Sequence, residues 1–150
     1  MRGTALFWWL WLVVVSAGAV LGGLVMVLAP GLTRRLFSLL VFASPQTIDG
    51  FGDLPARYVA LAHGVLGAVM VGWGAVLLLL LIGPFRRGSR EAWLTIAVSL
   101  AAWFVCDTAL SLATGFWQNA VLNVVLAVLF AVPLSATWRA CDHRREGLMR

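Results

Sequence analysis

The sequence predicts an all-α, polytopic membrane protein. It reads as a single transmembrane domain over residues 1–150, a four-helix transmembrane bundle with a short interfacial helix in its first outer loop. Three observations predict it. Hydrophobic residues are 62% of the chain and charged residues 11%, against roughly 45–50% and 25% in soluble domains. A soluble domain this small needs polar residues to cover a large relative surface, and this chain has too few. The apolar residues also gather into four runs, each near the ~20 residues that cross a hydrocarbon core. In lipid the backbone polar groups of such runs must be satisfied internally, which makes them helices.

The first span is expected over residues 5–28, ended by Pro30-Gly31. Ala17-Gly18-Ala19 resembles a signal-cleavage pattern, but the apolar run outlasts an h-region of about 7–15 residues, so the helix is read as retained. The second span runs over 56–82 and closes at Gly83-Pro84. The third covers 92–114 and the fourth 117–138; the few residues around Gly115-Phe116 make these two an antiparallel hairpin. Residues 139–150 form a tail.

Between the first two spans lies a long loop, residues 29–55. Loops beyond about 12–15 residues without structure are uncommon unless functional or disordered. Leu32, Leu36, Leu39 and Leu40 recur at helical spacing beside Arg34 and Arg35, which fits a short helix in the interface plane. The turn-rich remainder, Ser44 to Pro55, carries Asp49 and Asp53 and could cap the bundle mouth.

The net charge is +5, and all eleven basic residues are arginines. We read the absence of lysine as the codon bias of a GC-rich, bacterial genome. Eight arginines lie at the N-terminus (Arg2), in the second loop (Arg86, Arg87, Arg90) and in the tail (Arg139, Arg144, Arg145, Arg150), against three in the first loop region (Arg34, Arg35, Arg57). Four spans put both termini on one side, and the positive-inside bias makes that side cytoplasmic in a cell-membrane protein. A nucleic-acid partner would need a contiguous basic face or a known module; neither is present. Phe7, Trp8, Trp9, Trp11, Trp93 and Trp138 on one side, and Phe116 and Trp117 on the other, read as interfacial anchors.

Cys106 and Cys141 fall at different depths and are not expected to bridge. No metal-ligand spacing occurs. His63 has no second axial partner for a haem, since Met70 on the same helix cannot reach the opposite haem face. No cofactor is expected. No nucleotide-binding, zinc-protease or serine-hydrolase motif occurs.

Close helix packing in lipid uses small residues. Ala60, Gly64, Ala68 and Gly72 make one row on the second span, Gly67 and Gly74 a neighbouring one. Gly18 with Gly22, and Ala19 with Gly23, offer partners on the first, so these two spans are expected to meet along small residues.

The candidate site is His63, Asp107, Ser111, Asn119 and Asn123, with Trp103 and Cys106 nearby. Counted at 1.5 Å per residue, His63 lies roughly 10 Å inside Ala56, Asp107 roughly 10 Å inside Thr114 and Asn123 roughly 9 Å inside Trp117. One polar level in the outer half is therefore expected. Trp103, Asp107, Ser111 and Thr114 share one helical stripe. Counting back from the hairpin turn pairs Asp107 with Asn123; the shared depth adds a contact with His63, which no short turn fixes. A carboxylate in a membrane helix costs about 2.5–3.5 kcal/mol at the bilayer centre, which protonation or pairing relieves. Such a residue is a functional candidate by default; the alternative is polar glue between helices, near 0.6 kcal/mol per contact.

Two segments, Tyr58–Gly74 (YVALAHGVLGAVMVGWG) and Trp103–Asn123 (WFVCDTALSLATGFWQNAVLN), followed by Pro133-Leu134, resemble small four-helix bacterial integral membrane proteins of uncharacterised families. The resemblance covers spans two to four and implies no activity. The expected function is a polar cavity that binds a small or amphipathic ligand or relays a proton. The alternative is an accessory subunit recruiting a membrane protein partner or a second copy. An enzyme would need a nucleophile or metal; one His and one Asp offer acid–base help alone.

Overall fold

The computed structural model describes residues 3–148, with side chains described for residues 3–138. Arg2 and the side chains of the tail, including Arg139, Cys141, His143, Arg144, Arg145 and Arg150, lie outside the described residues. Among the described residues the chain is helical and has no strand: α1 (Gly3–Leu28), α2 (Pro30–Phe42), α3 (Asp53–Leu80), α4 (Arg90–Ala113) and α5 (Trp117–Leu148). Four helices are long and apolar enough to cross a membrane, as expected: α1, α3 with the turn that follows it, α4, and α5 to Trp138.

The helix ends follow from local chemistry. Pro30 opens α2 at its first position, where a missing N–H costs nothing. α3 begins at Asp53, three residues before the expected start, with Pro55 inside its first turn. A first-turn N–H has no intrahelical partner, so proline there breaks no bond. Ser89 caps α4 by accepting from the Ala92 N–H at 3.2 Å. The far end of α4 closes as a Schellman turn, with Phe116 N donating to Ser111 O at 2.8 Å, Gly115 N to Leu112 O at 3.1 Å, and Gly115 at φ 81°. A Cβ is disfavoured at that φ, which is why glycine stands there.

The expected meeting of the first two spans occurs, on the second of the two rows. A Cβ on Gly67 would lie 2.6 Å from Gly23 O, one on Gly23 2.6 Å from Gly67 O, and one on Gly74 2.7 Å from Val20 Cγ2. Around Gly18, Gly64 and Gly72 nothing lies within 4 Å of such an atom. Ala60, Gly64 and Ala68 instead line an apolar groove of about 440 Å³ on the exterior, with Met26, Val27, Pro30, Leu61 and Val65.

The core gathers at the end of the bundle where α1 begins and α3 turns into α4. Trp9 and Leu12 of α1, Leu77, Leu81 and Phe85 around the end of α3, Ala92, Ile96 and Leu100 of α4, and Phe130 and Leu134 of α5 form one buried cluster. Two prolines interrupt helices here. Pro84 lies in a π-type turn, Leu81–Phe85, where Gly83 leaves helical geometry. Pro133 lies inside α5 and leaves the carbonyl four residues earlier, that of Leu129, without its helical donor. Trp11 Nε1 donates to Leu129 O at 3.0 Å, and Trp9 Nε1 donates to Leu81 O at 2.8 Å. Trp93 Nε1 likewise donates to Leu134 O at 2.8 Å. These indoles, read from sequence as interfacial anchors, satisfy backbone carbonyls of neighbouring helices. Arg86 lies over the Trp9 ring and Arg90 over that of Trp138, each 5.0 Å from the centroid.

At the far end α2 bridges three helices. Thr33 Oγ1 donates to Val25 O of α1 at 3.4 Å, Phe37 stacks on His63 of α3, and Val41 O accepts from Gln118 Nε2 of α5 at 3.1 Å. The loop after it folds back: Ser38 Oγ donates to Ser44 O at 2.6 Å and accepts from Ile48 N at 3.3 Å, while Arg34 Nε lies 2.6 Å from Asp49 Oδ1. Thr33 and Ser38 are buried, whereas Leu32, Leu36, Leu39 and Leu40 are exposed.

Candidate functional site

The α4–α5 hairpin builds the polar cluster. Its Schellman turn fixes the register, which sets α4 residues opposite residues near the start of α5. Asn119 Nδ2 donates to Asp107 Oδ1 at 3.1 Å and to Ser111 Oγ at 2.8 Å. Ser111 Oγ donates to Asp107 O at 2.7 Å and lies 3.4 Å from Asp107 Oδ1. Asn123 Nδ2 lies 3.4 Å from Thr108 Oγ1. Ser111 and Asn123 are buried; Asp107, Thr108 and Asn119 are half-buried.

The expected Asp107–Asn123 pair is thus replaced by Asp107–Asn119, with Asn123 moved to Thr108. Asn119 faces Ser111 across the turn and reaches past it to Asp107, one helical turn deeper, while Asn123, at the level of Asp107, turns to Thr108. The stripe on α4 also ends sooner than expected. Thr114 is exposed and bonds to its own helix at Leu110 O, 2.8 Å away. Cys106, expected nearby, is exposed.

His63 stands apart. Its ring stacks on Phe37, with centroids 4.3 Å apart, and its buried Nδ1 has no hydrogen-bond partner among the described residues. No hydrogen bond or ion pair joins it to Asp107 among the described residues. The Trp73–Trp103 contact, 6.0 Å between ring centroids, ties the levels of α3 and α4 together. Counted outward from it, His63 is ten residues along α3, level with Ala113 at the end of α4. Asp107 is only four residues out, so His63 lies roughly 9 Å nearer the far end at 1.5 Å per residue. α3 overhangs its neighbour, and depths counted from each helix's own end do not compare. The one polar level expected from the sequence is two: a mouth, with His63 beneath α2, and a deeper cluster around Asp107.

Below Asp107 the walls are aromatic. Trp103 is one helical turn inward on the same face of α4, and Trp73 meets both Trp103 and Phe130, at 6.0 and 6.4 Å between centroids. The sequence places Trp103 near the site but carries no signal for Trp73, Phe37 or Gln118, whose roles depend on which helices pack together.

Chemically, Asp107 is a carboxylate inside an apolar span whose bonding partners are an amide and a hydroxyl, both neutral. Oδ1 is the accepting oxygen, and Oδ2 forms no hydrogen bond among the described residues. No group of three or more His, Cys, Asp or Glu side chains capable of holding a metal ion occurs among the described residues. No protein-family model, curated protein or solved structure matches the chain.

Proposed function

We propose that this is a small integral protein of the cell membrane, with both termini cytoplasmic, whose Asp107 cluster binds a small or amphipathic ligand or relays a proton. The supporting observation is the company Asp107 keeps. It sits in a membrane-length helix with neutral partners around it and, among the described residues, no ion pair to a cation. A charge held this way costs stability, and groups kept at a cost to stability are characteristic of working sites. Ser111 and Asn119 orient the carboxylate, Asn123 holds the hairpin beside it through Thr108, and His63 stands at the mouth. The bias of eight arginines against three supports the orientation. The outward leucine row of α2 supports its lying in the outer interface, as the sequence leads one to expect.

The test is the thermal stability of wild type and Asp107→Leu in the same lipid nanodiscs. Replacing a poorly compensated buried charge with an apolar side chain stabilises, so Asp107→Leu should melt several degrees higher. A clear fall in Tm would instead make Asp107 helix glue and sink the reading.

That second reading, an accessory subunit recruiting a membrane protein or a second copy, draws on Asn119 bridging Asp107 and Ser111 across the hairpin. It requires Asp107→Leu and Asn119→Leu to destabilise alike.

A further inference from the structure

The proposed ligand-binding reading leaves open what charge and shape the Asp107 site accepts. The spans hold few charges. No arginine lies between Arg57 and Arg86, or between Arg90 and Arg139, and the chain has no lysine. His63, the one basic group at depth, is level with the end of α4 and stacked on Phe37. The balancing charge for an ionised Asp107 therefore has to come from outside the bundle.

The surroundings discriminate between kinds of cation. A hard metal ion exchanges its water shell for several oxygen ligands, six to eight for calcium. Around Asp107 the near groups are Asn119 Nδ2, which points a hydrogen at the carboxylate, and Ser111 Oγ, whose one hydrogen goes to the Asp107 backbone carbonyl. One turn inward come Trp103, Trp73 and Phe130, whose ring faces give a strongly hydrated ion nothing. Aromatic faces attract weakly hydrated organic cations, and tryptophan does so best. A carboxylate above a tryptophan pair combines a counter-charge with an apolar, electron-rich surface. α3 makes few direct contacts with α4, and farther out it is tied to the hairpin through α2, by Phe37–His63 and Val41–Gln118.

We propose that the Asp107 site takes an organic cation, an ammonium-type group on an apolar or aromatic body, with its charge at Asp107 and its body against Trp103 and Trp73. The proposal rests on the ligand-binding reading above and narrows it to one chemical class.

The experiment is equilibrium binding of phenyltrimethylammonium to the full chain in nanodiscs, with empty nanodiscs subtracted. Its neutral isostere, tert-butylbenzene, serves as the matched control. The expected result is saturable one-site binding of the cation, at least tenfold tighter than the isostere. Asp107→Asn should weaken it about tenfold, and Trp103→Leu several-fold, in the range of a desolvated cation–π contact. No saturable cation binding, equal binding of the isostere, or affinity unchanged in both variants would overturn the proposal. Should Asp107→Asn fail to fold, Trp103→Leu and the isostere still decide the matter. The two readings fail separately: a raised Tm for Asp107→Leu without cation binding removes the organic cation and leaves the Asp107 site standing. A lowered Tm removes both.

Discussion

Trp11 and Pro133 are far apart in sequence, yet one completes what the other lacks. Proline cannot donate to the Leu129 carbonyl four residues before it, and the Trp11 indole donates there at 3.0 Å. Trp11→Phe keeps an aromatic side chain and removes the donor, so loss of the bond should cost about 1 kcal/mol. In a Pro133→Ala background the new Ala N–H can supply the missing bond, and the same change should cost much less. A double-mutant cycle of unfolding free energies reads that coupling, and equal costs in the two backgrounds would refute the pairing. A residue read from sequence as an interfacial anchor is, at this scale, a helix-repair donor. The sequence carried the parts, a tryptophan-rich first helix and a proline in the last, but not their pairing, because it is made across helices.

At the scale of elements, the α1–α3 seam decides which glycines matter. Gly67→Ala would set a Cβ 2.6 Å from the Gly23 carbonyl oxygen. Backbone cannot give way as a side chain can, so the helices must separate, at about 1–3 kcal/mol. Gly64→Ala meets nothing within 4 Å and should be neutral or gain up to about 1 kcal/mol from helix propensity. Unfolding midpoints of the two variants check this, and a Gly64→Ala as damaging as Gly67→Ala would contradict the seam. The hairpin turn offers a parallel case. Gly115→Ala forces a Cβ at φ 81° and should cost about 1–2 kcal/mol, with Asn119 drawn off Asp107 as the turn shifts. Loss of the Asp107–Asn119 contact should be visible as a changed side-chain amide resonance of Asn119 in NMR spectra.

The molecule as a whole is packed at one end and strapped at the other. Its buried cluster lies where the first turns of α1 meet the α3–α4 turn, while α2 straps the far end through its Thr33–Val25, Phe37–His63, Phe42–Phe116 and Val41–Gln118 contacts and the folded loop. Regions with fewer buried apolar contacts open at lower free energy, so the amides of α2 should exchange faster than those of the core at Leu77 and Ile96. Phe37→Ala should speed α2 further and leave the core unchanged; equal acceleration of both would show that α2 is no separable strap. The proposed orientation has its own test at this scale. In a chain with Cys106 and Cys141 replaced by serine, a membrane-impermeant thiol reagent applied to intact cells should label a cysteine at Gln46 and spare one at Ser89. The reverse pattern would invert the topology.

The sequence by itself determined the class of the protein, its four membrane-length helices, its hairpin, and the segment that became α2. Those follow from properties that run along the chain: apolar length, proline and glycine at the breaks, the spacing of leucines. It also singled out Asp107, Ser111 and Asn119, because a polar residue in an apolar span stands out wherever it lies. The tertiary structure alone decided which glycine row forms the seam, which indoles serve which carbonyls, and that His63 and Asp107 occupy different levels. Two adjacent small-residue rows have nearly the same composition, and only a partner's shape selects between them. Depth counted from a helix's own end fails once α3 overhangs α4, an offset set by the packing of Trp73 on Trp103 and not by the length of either helix.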